Sequence, residues 1–240
     1  MQPYIDPQAK LGNELEIGCF SVIGPRVTIG DHVKIGSHVV IHEGVHIEGQ
    51  VEIGDHTVLG KQPIRKNIES PTTIKEGTQI GSGCILYRGA IIGKNGLVAD
   101  LSTIRERVEI GEETVIGRGA AVENDTRIGS RVKIETNVYI TAFSDIGDDV
   151  FIAPCVVTSN DPFAARSPHP VSFQGVRVKK GGRIGAGAVI LPGITIHEEG
   201  FAAAGSVVTH DVTSKMIVKG VPAKPFRPVP KEQWLSPKKS

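Results

Sequence analysis

Leucine, methionine and the aromatics are scarce in this 240-residue chain, which holds 8 Leu, 2 Met, 1 Trp, 3 Tyr and 7 Phe. A helical bundle fills its core with leucine and methionine, so their scarcity excludes that class. Cysteine is scarce too. Cys19, Cys84 and Cys155 show no Cys-x-x-Cys spacing and cannot all pair, which argues against a disulfide framework and for a reducing, cytoplasmic setting. No apolar run approaches the roughly 18 residues that cross a bilayer. The opening MQPYIDPQAKLG lacks the basic-then-apolar pattern of a secretory signal, so no membrane partner is expected. Excess charge is missing as well. With 27 basic and 26 acidic residues the net charge is +1, and no global field draws the chain to nucleic acid.

What the chain does have is 28 Ile, 27 Val and 29 Gly. A branched Cβ suits a pleated strand and glycine accepts positive φ, so strands joined by tight turns are expected. The order is more telling than the amounts. Aliphatic residues recur every six positions from Ile5 to Leu59, from Ile74 to Ile152 and Thr158, and from Val178 to Val208. Of these 31 positions, all but Thr158 and Ala202 are Ile, Leu or Val. Four residues after each comes a smaller inward position, among them Ser21, Thr57, Cys84, Ala120 and Ala188, and glycine often follows the aliphatic residue directly. Neither a helix nor an open sheet has a period of six. A two-residue strand and a tight corner does, if three such units make one 18-residue coil of a triangular prism. Successive coils then pair as parallel strands about 4.8 Å apart. The spacing predicts an all-β prism of about ten triangular coils over residues 1–212, with loops at 61–73 and 159–177. Residues 213–240 form a C-terminal segment and tail.

The pattern aliphatic-Gly-x-x-small-x resembles the left-handed parallel β-helix of the hexapeptide-repeat acyltransferases, over Ile5 to about Arg227. The left hand comes from that resemblance, since parallel crossovers are otherwise right-handed. Identical coils carry no site, so breaks in the repeat are the places to look for one. The first break, Lys61–Thr73, is about nine residues longer than the repeat needs and holds Lys61, Arg65 and Lys66, a basic cluster suited either to solvent or to phosphate. The second leaves after Thr158 and returns at Val178, a length usual for functional loops.

The opening of the second break, Val157-Thr158-Ser159-Asn160-Asp161-Pro162-Phe163, resembles the Thr-Asn-Asp segment of nucleotide-sugar N-acetyltransferases, which lies between subunits of a trimer. In galactoside and maltose acetyltransferases a histidine base stands where Asn160 falls. A hydroxyl needs a base to attack a thioester and an amine needs only to shed its own proton, so Asn160 points to an amine acceptor. Asp161 would orient that amine or help take its proton. One coil earlier, several of these enzymes carry a glutamate on the amino sugar, and here Ala142 stands there, with Glu123 and Asn124 two coils up as turn residues or partial substitutes. Toward the C-terminus, Gly182–Ile196, Ala203–Thr209 and Lys219–Lys224 resemble the coils along which these enzymes lay coenzyme A. The resemblance implies Ala186 and Ala204 as backbone contacts, and Lys179, Lys219, Lys224 and Arg227 as partners of the cofactor's phosphates.

The expected activity is therefore coenzyme A-dependent acyl transfer, with acetyl as the acyl group. The expected acceptor is an amine, for which the amino group of a nucleotide-linked sugar is the candidate. A homotrimer with sites between subunits follows from the same resemblance. Three other readings stand beside it. An O-acetyltransferase would need His169, in the long loop, as base. A γ-class carbonic anhydrase uses the same prism with three zinc-binding histidines, but His32, His38 and His56 occupy outward corners and no His-x4-His pair appears. No metal site is expected. The third alternative is a non-catalytic binding scaffold.

Overall fold

The computed structural model describes residues 2–64, 67–167 and 169–235. Its two-residue strands assemble into three sheets of 11, 10 and 12 strands, and each strand pairs with the one three places on. We call these sheets A, B and C in the order the chain first meets them, at Tyr4–Ile5, Lys10–Leu11 and Glu16–Ile17. Register repeats every 18 residues, as in Val22↔Val40 and Ile23↔Ile41. The prism is about one coil longer than the expected ten. The extra strand is Met216–Lys219, which pairs parallel with Phe201–Ala202 and then antiparallel with Lys224–Pro228. The C-terminal segment thus closes sheet C. One 3-10 turn, Lys231–Gln233, follows; among the described residues there is no α-helix and none long and apolar enough to cross a membrane.

One aliphatic column from each sheet fills the core, with Ile41, Ile47, Ile74, Leu86, Ile116 and Ile140 among its fully buried members. The smaller inward position does a second job. Ser21 Oγ donates to the Gly36 carbonyl at 2.8 Å and accepts from the Val39 N–H at 3.0 Å. Thr57 and Thr114 repeat this with Gly81 and Cys84, and with Gly129 and Val132. A small hydroxyl there satisfies buried corner groups that the parallel ladder leaves over, which a larger aliphatic could not do. Corner glycines have a steric cause. A Cβ at Gly54 would lie 2.6 Å from the Ser82 nitrogen and 2.7 Å from the Gly81 carbonyl carbon of the next coil.

Both breaks in the repeat emerge from the same edge. Val58–Lys61 and Val157–Thr158 are the fourth and ninth strands of sheet A, so each loop leaves at the A–B corner. Five coils at about 4.8 Å put them roughly 24 Å apart along one edge.

Candidate active site

At the fourth coil, Gly60 adopts φ +77° and shifts the register, so that Lys61 comes opposite Tyr87. The chain then runs outward. Gln62 ties the base of the loop, donating to Asn67 Oδ1 at 3.0 Å and to the Ile68 carbonyl at 2.9 Å, and accepting from the Ile68 N–H at 3.1 Å. Pro63 and Ile68 are buried, while Ile64 stands 96% exposed. Arg65 and Lys66, the rest of the expected basic cluster, lie outside the described residues.

The coils that follow carry charge along the A–B corner. Glu106 is only 4% exposed and meets Arg105, whose Nε donates at 2.9 Å. Arg105 also reaches Glu123 at 3.3 Å and lays its guanidinium 4.8 Å from the Tyr87 ring centre. Lys61 approaches the same ring at 5.4 Å. Burial, and then Glu123, push the Tyr139 hydroxyl above its ordinary pKa, with Arg105 opposing. His42 is held below the usual imidazole value by partial burial first and then by Arg88 and Lys61. Of this cluster, Lys61 and Glu123 stood out in the sequence, Glu123 as a turn residue or a partial substitute for the missing glutamate. Reading every eighteenth residue down the corner, Arg88-Glu106-Asn124-Ala142-Asn160, would have found it.

At the ninth coil, Thr158 replaces the usual aliphatic because its hydroxyl anchors the loop. It accepts from the Thr141 N–H at 2.8 Å and donates to the Tyr139 carbonyl at 3.2 Å. Asn160 is half-buried, its amide donating to the Ala142 carbonyl at a long 3.5 Å. Its side-chain oxygen has no partner among the described residues. Asp161 spends both carboxylate oxygens on the loop backbone, accepting from the N–H of Phe163 at 2.8 Å and of Ala165 at 2.7 Å. It shapes an Asx-type turn, within which Ala164 and Ala165 take positive φ. His169 is exposed further out and, among the described residues, is bonded only through its backbone to Ser167. The loop returns at Gly175, where a Cβ would sit 2.5 Å from the Phe143 carbonyl carbon. Phe143, at φ +64° and 45% exposed, thus lies where the loop returns, next in sequence to the Ala142 carbonyl that Asn160 reaches.

The expected donor residues divide. Ala186 and Ala204 stack on the C–A corner, both exposed, and Lys219 and Lys224 pair at the end of the same edge. Lys219 lies 3.6 Å over the Phe226 ring. Arg227 sits opposite Ile217 in that hairpin. Lys179 does not join them: it follows sheet B on the B–C corner and reaches toward Asp145 at 3.9 Å. Two earlier N–H groups of the C–A corner are capped by the next coil, Ser37 by Asp55 at 2.6 Å and Ser82 by Asp100 at 2.8 Å. At Ala186 and Ala204 no side chain does this, and among the described residues neither N–H has an acceptor. A Cβ at Gly187 or Gly205 would meet nothing within 4 Å. His38 and His56 sit exposed on this corner near its N-terminal end, stacked with Phe20 at 4.8 Å spacings. Among the described residues no three metal-ligating side chains converge.

Comparison with known proteins agrees with this architecture. The model described as "Bacterial transferase hexapeptide (six repeats)" matches residues 8–43, 32–62 and 125–160, and "Hexapeptide repeat of succinyl-transferase" matches 107–142. The chain carries the hexapeptide repeat of these models over residues 8–62 and 107–160, in coils that stack as a parallel β-helix. A Schizosaccharomyces pombe protein named "Putative acetyltransferase" is 34% identical over 38% of this chain and 46% of its own length. The galactoside O-acetyltransferase of Escherichia coli is 32% identical over 42% of this chain and 56% of its own. The chain therefore spans about half the length of the curated relatives it matches. Among solved structures, a UDP-N-acetylglucosamine acyltransferase from Bacteroides fragilis superposes with a TM-score of 0.54 at 21% identity, covering 94% of this chain and 72% of that one. Such a likeness bears on the fold alone.

Proposed function

We propose that this protein transfers an acyl group, most simply acetyl, from coenzyme A to an amine, at sites formed between copies of the chain. The observation that carries this reading is the separation of the two half-sites. Asn160 lies on the A–B corner and Ala186 and Ala204 on the C–A corner, so within one chain the whole width of sheet A divides them. That face is unlike the other two. Its outward column holds Val22, Val40, Val58, Ile85, Tyr139 and Val157 and carries no charged residue from Tyr4 to Val207, whereas sheet B presents Glu109, Arg127, Asp145 and Arg177. A continuous apolar face of this kind is characteristic of a protein interface. Copies packed through sheet A with parallel axes bring the donor corner of one beside the acceptor corner of the next. Head-to-tail contacts close into rings, and the superfamily resemblance favours three copies.

The C–A corner fits coenzyme A, because Gly187 and Gly205 leave the backbone open and Ala186 and Ala204 offer N–H groups to an extended amide-bearing arm. When bound, the cofactor supplies the thioester carbonyl. This chain supplies position and charge. The free oxygen of Asn160 accepts a hydrogen bond from the acceptor amine and aims its lone pair, Asp161 holds the turn that presents Asn160, and backbone N–H groups of the facing corner stabilise negative charge on the carbonyl oxygen. No side-chain base is required, and Phe143, in place of an acidic contact at Ala142, offers an apolar surface to a sugar ring. Lys219, Lys224 and Arg227 are the phosphate partners, with Lys179 on another edge.

The test is thiol release from acetyl-coenzyme A across amines, amino sugars, nucleotide-linked amino sugars and hydroxyl-bearing sugars. Release with an amine, lowered about 100-fold in kcat/KM by Asn160→Ala, supports the reading. Release with hydroxyl acceptors that requires His169 would transfer the assignment to an O-acetyltransferase, and unchanged turnover in Asn160→Ala would remove the site.

A further inference from the structure

Basic residues on the corners of this prism are mostly paired. Arg26 meets Glu43, Lys75 meets Glu48, Lys94 meets Glu76 and Arg131 meets Asp149. Lys61 and Arg88 break the rule. They are joined through the backbone, with the Arg88 N–H donating to the Lys61 carbonyl at 3.0 Å, yet among the described residues neither side chain has a carboxylate within ion-pair distance. The Arg88 Nε is buried without a hydrogen-bond partner, which costs energy unless something answers it. Beside them lies the Tyr87 ring, approached by Lys61 and by Arg105, and Arg105 is locked in place by Glu106 and Glu123. Gln62 ties Asn67 and Ile68 to the base of the loop, where Pro63 and Ile68 are buried. Two cations without a carboxylate partner and a buried orphan donor make this a positive, partly buried stretch of the corner.

We propose that Lys61 and Arg88, beside Tyr87, form a site for a phosphoryl anion that is separate from the acyl-transfer site. Arg88 lies four coils and Lys61 five coils before Asn160 on the same edge, which at about 4.8 Å per coil is roughly 19 and 24 Å. The Arg88 guanidinium turns the other way, toward Gly44. A sugar amine lies only a few bonds from its own diphosphate, so this anion is not that of an acceptor whose amine reaches Asn160. The donor phosphates, by contrast, belong to the opposite edge of sheet A. A guanidinium and an ammonium with nothing to neutralise them favour a group carrying more than one negative charge.

Isothermal titration of the full chain with inorganic pyrophosphate, uridine diphosphate and adenosine 3′,5′-bisphosphate tests the site without turnover. The unaltered protein should bind pyrophosphate and uridine diphosphate saturably. Lys61→Ala and Arg88→Gln should each weaken both at least tenfold, leaving adenosine 3′,5′-bisphosphate unchanged; Arg127→Ala on sheet B should alter none of the three. Circular dichroism checks that each variant is folded, and Lys61→Ala, at a half-buried position, serves if Arg88→Gln is not. No saturable binding of either diphosphate, or equal binding by both variants, overturns the site. Equal loss of adenosine 3′,5′-bisphosphate overturns its separation from the donor phosphates. Pyrophosphate binding with no thiol release from any amine would sink the acyl-transfer reading and leave the anion site standing; thiol release that depends on Asn160 without diphosphate binding would do the reverse.

Discussion

Asn160→Ala and Ala186→Trp place one lesion on each side of sheet A, and the geometry predicts what happens when they are mixed. Trp should be tolerated at 186, because the same corner column carries Asp55, Asp100 and Arg118 in earlier coils, but it would stand where the acyl donor must approach the backbone. Each variant alone should retain about 1% of the normal rate, the loss expected when a reacting group is misplaced. Each composite site takes its acceptor corner from one chain and its donor corner from another. In a random equal mixture, half of the acceptor corners and half of the donor corners are intact. About one site in four is therefore whole, whether the ring has two members or three. Dissociation and reassembly of a 1:1 mixture, followed by the thiol-release assay, should return about 25% of the unaltered rate, more than tenfold above either parent. Activity that stays at the average of the parents would refute a site shared between chains.

Other expectations follow from single contacts. Ile116→Ala, at a fully buried core position, should cost about 2–5 kcal/mol in denaturant unfolding, by lost burial plus cavity. Gly54→Ala should cost about 1–3 kcal/mol because its methyl strikes the next coil. Gly187→Ala meets no neighbour but strains a φ of +64°, so about 1–2 kcal/mol is expected, together with a raised KM for the acyl donor and little change with the acceptor. The His42 ring should titrate below 6.5 by NMR, and pyrophosphate should move it upward. Because the unfolded chain binds that proton more readily, His42 takes stability away as pH falls below about 6.5 and costs nothing above it, so His42→Gln should flatten the acid limb of the stability profile.

Much of this architecture can be read in the residues themselves. A period of six with small residues four places on leaves no other way to bury Ile23, Ile41 and Leu59 in one column, and the two breaks announce themselves by length. Counting strands in threes would also have put both loops on one corner. What could not be read is side-chain meeting across coils. Arg105 finds Glu106 and Glu123, while Arg88 finds no acid among the described residues, and that outcome depends on rotamers at positions one and eighteen residues apart. Asp161 is the instructive case at the site. Its identity suggests chemistry with an amine, yet its two oxygens turn the loop, because two N–H groups within four residues are closer than any substrate. Lys179 shows the limit of composition near a resemblance: a basic residue in the right stretch of sequence, it belongs to another edge of the prism.

The central claim is that catalysis needs two chains joined through sheet A. Val22→Glu combined with Val40→Glu puts charge on that face some six coils from Asn160, too far to disturb the site directly. Thiol release measured on the species that sediments as a single 25.6 kDa chain is the direct test. The account predicts a folded monomer with no transfer to any amine. A monomer that transfers at the unaltered rate would contradict it.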